Sequence, residues 1–171
     1  HDCRLKAALQ RSHEAGVKLN GTKCKFGLQE VTYLGCVISV DGVKPDPEKI
    51  KDILDMPNPT DKTGVQRILG MINFLAKFIP NMSTITKPLR ALLVKDTEFI
   101  WTHEQNKALE DIKKILTSEP VLGFYDPKKE VTLLCDASQY GLGTCLMQDG
   151  KPIAYASRSL TPVQVRYAQI E

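Results

Sequence analysis

VTLLCDASQYGLGTCLMQDGKPIAY, residues 131–155, reads as three short strands folded back on one another. Val131–Cys135 is a largely apolar run leading into Asp136, and Leu142–Met147 and Ile153–Tyr155 are two further β-type runs. Asp149-Gly150 separates the last two, and that dipeptide tolerates the positive φ of a two-residue hairpin turn. An acid at the end of a central apolar strand is costly unless a cation or hydrogen bonds meet it. Gly141 and Gly143 would let a hairpin turn close beside it.

Working outward from this meander, the periodicity changes from two to about 3.6. Downstream, Thr161-Pro162 starts a final helix. Upstream, Thr102 or His103 caps an amphipathic helix with Leu109, Ile112, Ile115 and Leu116 facing inward, and Pro120 stops it. Before it come three short helices separated by prolines, a compact subdomain over residues 45–95. The first has Asp46 as N-cap, Pro47 in the first helical position and an Ile50, Ile53, Leu54 stripe. The second is capped by Thr60 or Asp61, faces inward with Val65, Ile68, Leu69, Ile72 and Leu75, and is closed by Pro80. The third lies around Lys87–Val94. At the start, residues 2–15 have helical spacing and stop at Gly16. Lys23–Phe26 and Val31–Val40 are β-like, and Asp41-Gly42 is a tight-turn signal, so a small hairpin follows the first helix. The fold class is α+β.

Composition narrows the function. The 171 residues are 42% apolar and 25% charged, with no apolar run near the roughly 20 residues of a membrane span. The five cysteines contain no C-x-x-C pair, which gives no zinc ribbon and no disulfide framework. No Walker loop, G-x-S-x-G elbow or H-E-x-x-H occurs. Net charge is only +3, yet residues 1–95 carry 15 Lys/Arg against 9 Asp/Glu, whereas residues 96–171 carry 8 against 11. A basic first half suits contact with phosphate, and an acidic second half suits carboxylate chemistry.

Two constellations could carry chemistry. Gln66, Gly70 and Phe74 recur at i, i+4 and i+8, so they share one helical face. Glycine there admits a close backbone, glutamine can hydrogen-bond in a minor groove, and the aromatic ring can pack on sugars. The plainer alternative is that Gly70 allows tight helix packing and Phe74 belongs to the core. The second constellation is Asp136-Ala137-Ser138 with Gly141 and Gly143. It is open to three readings: a turn-capping aspartate, one carboxylate of a two-metal cluster built from several elements, or the phosphate hairpin of an actin-like or sugar-kinase ATPase. The ATPase reading needs a second phosphate-binding loop that is not found.

The segments also match a family in order. The runs are Gly16-Val-Lys-Leu-Asn20, Lys23-Cys-Lys-Phe26, Val31-Thr-Tyr-Leu-Gly35, Asp41-Gly-Val-Lys-Pro-Asp-Pro47, Arg67-Ile-Leu-Gly-Met-Ile-Asn-Phe74 and Phe78-Ile-Pro80. Lys87-Pro-Leu89, Phe99-x-Trp101, Pro120-Val-Leu122, Asp136-Ala-Ser138, Pro152-Ile-Ala-Tyr-Ala-Ser-Arg158, Leu160-Thr161 and Tyr167-Ala168 follow. The sequence resembles the Pol polyprotein of gypsy-type long-terminal-repeat retrotransposons and their retroviral relatives. The resemblance implies residues 1–44 as the end of a reverse transcriptase palm, 45–95 as a helical thumb and 96–130 as a linking helix. It implies 131–171 as the beginning of an RNase H-like antiparallel sheet with helices.

Tyr33, Leu34 and Gly35 would then hold the primer terminus, and Gln66, Gly70 and Phe74 would track the minor groove of the template–primer. Arg67 and Asn73 would be neighbouring backbone contacts. Asp136 would be the first catalytic, metal-binding carboxylate of an RNase H that uses Mg2+ ions, unless the sheet is a non-catalytic connection domain. The expected partners are an RNA–DNA hybrid or template–primer duplex and the remainder of the Pol polyprotein, with no membrane, in the cytoplasm or in retroelement particles. The family's Tyr-x-Asp-Asp polymerase signature is absent, as is any Asp-Asp pair. The resemblance places that signature upstream of His1 and the next RNase H acid just after Glu171. It therefore implies an interior piece of a longer chain that is catalytically silent alone. A different class of function is a domesticated retroelement remnant serving as a binding or assembly module.

Overall fold

The structure is a computed structural model and describes residues 2–166. It opens with helix α1 (Asp2–Glu14), which buries no residue and ends at Gly16 with φ +69°. A three-stranded antiparallel sheet follows: β1 (Glu30–Tyr33), β2 (Cys36–Ser39) and β3 (Gly42–Pro45). The run expected as one β stretch, Val31–Val40, is thus folded in two at Leu34-Gly35. Lys23–Phe26 is not a strand; Asn20 accepts from the Thr22 hydroxyl and from the Thr22 and Lys23 amides, which curls that segment into a turn. The second turn is Val40-Asp41, one residue earlier than the Asp-Gly signal places it. Gly42 instead opens β3, where a Cβ would overlap the Leu122 carbonyl oxygen.

The helices follow from their caps. Asp46 accepts from the Glu48 amide at the start of α2 (Pro47–Leu54), and Asp61 accepts from the Gly64 amide at the start of α3 (Lys62–Phe74). Such caps satisfy amides that have no partner in the first turn. α3 gives way to a 3-10 turn (Ala76–Phe78) before Pro80. The helix expected around Lys87–Val94 is α5 (Lys87–Ala91), and a short helix that the sequence did not signal, α4 (Met82–Ile85), precedes it. Thr102 and Gln105 form a capping box at the start of α6 (His103–Thr117). The Gln105 amide also donates to the Pro88 carbonyl at 3.2 Å, tying that end of α6 to α5.

One apolar core joins these helices. Ile53, Val65, Ile68, Ile72, Leu75, Phe78, Leu89, Leu109, Ile112 and Leu116 are all almost fully buried. Cys36 enters it from β2. Leu122 enters it from a strap that pairs with Val43 on one side, while the next residue, Gly123, donates to the Pro152 carbonyl at 2.7 Å on the other. Leu122-Gly123 is therefore a bridge between two sheets.

The second sheet is antiparallel in the order β4 (Thr132–Ser138), β5 (Gly141–Gln148) and β6 (Lys151–Ser159). Asp149-Gly150 forms the expected turn, with φ of 51° and 73°. The apolar strand expected to be central is instead an edge among the described residues. β4 pairs only with β5, and Leu133 and Leu134 are 59% and 52% exposed. Of the helix expected from Thr161-Pro162, the described residues show a 3-10 turn over Gln164–Arg166, and its continuation lies outside them. Tyr167-Ala168 lies outside the described residues.

Candidate nucleic-acid interface

α3 has two faces. Val65, Ile68 and Ile72 point into the core, while Gln66, Arg67, Gly70, Asn73 and Phe74 are exposed. The sequence left two explanations of Gly70 open, and geometry separates them. A Cβ placed on Gly70 would meet nothing within 4 Å, so no neighbouring helix requires a glycine there. Phe74 is 53% exposed and is not a core residue. Gln66, Arg67 and Asn73 have no side-chain partner among the described residues. A groove of about 450 Å³ runs beside this face between α2 and α3, lined by Lys49, Asp52, Arg67, Gly70, Met71 and Phe74.

The hairpin turn reaches the same place. Tyr33 pairs with Cys36, so Leu34-Gly35 is a two-residue turn, with φ of 47° and 69°. Positive φ at both positions is what the strand twist demands of such a turn. Leucine rarely adopts it, and a strained residue of this kind marks a place where function is worth seeking. Leu34 is 74% exposed at the tip, with Tyr33 exposed beside it. Gly35 is a glycine for a second reason: a Cβ there would overlap the Phe74 ring. The Gly35 carbonyl accepts from the Asp46 amide at 3.1 Å, fixing the turn to the start of α2. Tyr33, Leu34 and Gly35 thus join the exposed face of α3 through one aromatic contact. Two segments about 40 residues apart in sequence form one surface.

Sequence reasoning missed Lys49, which lines the groove and makes a 3.7 Å exposed ion pair with Asp52. Its signal was its place one helical turn before Ile53, on the flank of the α2 apolar stripe.

Asp136 lies apart from this surface, on β4 opposite Gly143. Alternation along the strand puts Asp136 on the sheet face that carries Gly143, Ser157 and Tyr155. Asp136 shares a small cleft there with Pro80, Asn81 and Tyr155. Burial, and then the neighbouring Cys145, push the Tyr155 phenol above its ordinary 10.0. Among the described residues no three His, Cys, Asp or Glu side chains come together. Mg2+ demands a near-octahedral set of oxygens, so the described residues do not by themselves fit that ion. No helix of the described residues is long and apolar enough to cross a membrane.

Residues 101–171 match the family described as the RNase H-like domain found in reverse transcriptase. Over 98% of its length the chain is 36% identical to the Transposon Tf2-3 and Tf2-4 polyproteins of Schizosaccharomyces pombe. It spans only 13% of the length of those relatives. Among solved structures, it resembles the foamy viral protease-reverse transcriptase dRH in complex with double-stranded DNA. There the TM-score is 0.83 and identity 29%, over 97% of this chain and 30% of that one. The foamy viral protease-reverse transcriptase in complex with an RNA/DNA hybrid is also similar. In that case the TM-score is 0.72 and identity 31%, over 83% of this chain and 20% of that one.

Proposed function

We propose that the chain, which is similar to retrotransposon polyproteins and whose residues 101–171 match the RNase H-like domain found in reverse transcriptase, grips the template–primer duplex of such an enzyme. The observation that carries this reading is the continuity of the Leu34-Gly35 turn with the exposed Gln66, Gly70, Phe74 face through the contact of Phe74 with Gly35. An open glycine beside free amide and guanidinium side chains suits a sugar–phosphate backbone, which is recognised largely without regard to sequence. The related reverse transcriptases bound to hybrid and to double-stranded DNA support a duplex as the ligand.

The whole enzyme would be an RNA-directed DNA polymerase with RNase H, working in the cytoplasm or in retroelement particles beside the rest of the Pol polyprotein. In it Asp136 would be one Mg2+ ligand among carboxylates that the described residues do not supply. Mg2+ would stabilise developing charge on the cleaved phosphate. The chain's own residues hold and orient the duplex.

Fluorescence anisotropy with an RNA–DNA hybrid tests the grip. Binding is expected to weaken steeply between low and moderate salt, because phosphate contacts release counterions. Phe74→Ala and Gly70→Val are expected to weaken it more than Arg158→Ala, a change on an exposed residue of β6. Equal effects, or salt-independent binding, would remove the assignment. Hybrid cleavage by this chain in Mg2+ is expected to be undetectable on a denaturing gel; robust cleavage would show that Asp136 has the partners it needs.

A further inference from the structure

Gly141 and Gly143 have a use other than turning the chain. Neither has positive φ, so the backbone does not require glycine at either position. What requires it is space. A Cβ on Gly143 would overlap the Asn81 side-chain oxygen and lie 3.0 Å from Asn81 Cγ, and one on Gly141 would lie 2.5 Å from Ser83 Oγ. The segment leading into α4 is seated on β5 where two side chains are missing. Polar contacts ring this seat. The Ser83 amide donates to Ser157 Oγ at 2.9 Å, and Thr84 Oγ1 and Ser138 Oγ share a hydrogen bond at 3.1 Å. Arg90 donates to Ser159 Oγ at 3.4 Å, and the Lys87 ammonium lies over the Tyr140 ring. Asn81 is itself held at φ 49°, a conformation asparagine tolerates better than most residues. Ser83 Oγ is buried and has no hydrogen-bond partner among the described residues. A buried hydroxyl left so costs stability, which marks the seat as one set by shape rather than by optimal bonding.

We propose that Asn81–Thr84, seated on Gly141 and Gly143, is a latch that fixes the strand unit β4–β6 relative to α3, and so positions the duplex beyond the α3 face. This rests on the duplex-gripping reading above. In this arrangement Asn81 and Gly143 are positioning residues. They act by holding the unit that carries Asp136 at one orientation to the grip.

Hydrogen exchange followed by mass spectrometry, on the chain and three variants, tests the latch. Gly143→Ala drives a methyl into Asn81, and amide exchange over residues 81–86, 141–143 and 157–159 is expected to rise about tenfold or more while α3 and α6 are unchanged. Asn81→Gly removes the obstructing side chain and suits the left-handed backbone, so Asn81→Gly/Gly143→Ala is expected to return exchange towards that of the unaltered chain. Exchange unchanged in Gly143→Ala, or no slower in the double variant than in Gly143→Ala, overturns the latch. Ser83→Ala, which breaks no hydrogen bond, is expected to leave protection equal or higher; increased exchange would contradict the seat as described. Hydroxyl-radical footprinting of an RNA–DNA hybrid reads the positioning. Gly143→Ala is expected to keep protection at one end of the footprint and lose it at the other, with the double variant restoring it. A full footprint in Gly143→Ala, despite faster exchange, overturns the positioning role. A chain that leaves no footprint before any substitution overturns the duplex-gripping reading instead, and the exchange data still decide the latch.

Discussion

Gly35 and Gly70 show that two glycines in one surface are there for opposite reasons. Gly35 has φ +69° and the Phe74 ring against it, whereas Gly70 sits in mid-helix with open space above it. Alanine at Gly35 must adopt an unfavourable φ and displace an aromatic ring, a combined cost of about 2–4 kcal/mol. Alanine at Gly70 meets nothing and gains helix propensity, a stabilisation of up to about 1 kcal/mol. Urea denaturation of the two variants is expected to shift in opposite directions. Under the grip reading, Gly70→Ala is also expected to bind hybrid no better despite its added stability. A variant both more stable and tighter-binding would mean that the glycine does not face the duplex. The identity of both residues is plain in the sequence, but which of them is crowded is not. Crowding at Gly35 comes from a ring on a helix 39 positions downstream.

At the scale of elements, caps and inner faces were legible because they depend on neighbours within a few positions. Asp46 caps the helix that the sequence assigns to it, and of the paired candidates Thr60/Asp61 and Thr102/His103 the caps are Asp61 and Thr102. Ile68, Ile72, Leu109, Ile112 and Leu116 are buried as their spacing requires. Asp61→Ala is expected to cost about 1 kcal/mol by leaving the Gly64 amide without its acceptor. Ile112→Ala, in the core that α6 shares with α2 and α5, is expected to cost about 2–5 kcal/mol. Thermal or chemical unfolding checks both, and a smaller loss at Ile112 would mean that α6 is not integral to the helical core. The short helix Met82–Ile85 ahead of the expected one was not legible, since four residues are too few to show a helical period. Thr86 is fully buried and its hydroxyl donates to the Met82 carbonyl while accepting from Arg90 Nε, a tertiary and local arrangement that marks the joint.

For the whole molecule, nearly all deeply buried apolar side chains belong to the helices, the strap and Cys36, with Tyr155 of the second sheet only packed against their edge. β4–β6 therefore leaves Leu133 and Leu134 exposed on β4, a strand edge that is unpaired among the described residues, with Leu142 exposed on β5 beside it. Such an edge invites pairing between chains. Sedimentation is expected to show concentration-dependent association that Leu133→Lys reduces, and a monomer at all concentrations would mean that the edge is protected. The sequence by itself determined the α+β class, the helix starts set by caps, the inner faces of the longer helices and the Asp149-Gly150 turn. Each of these depends on periodicity or on a side chain bonding its own neighbourhood. Only the tertiary structure decided that Phe74 lies on Gly35 and that Gly141 and Gly143 accommodate Asn81 and Ser83. Those are contacts between segments tens of residues apart. Their geometry is set by the packing of intervening elements, which no local pattern encodes.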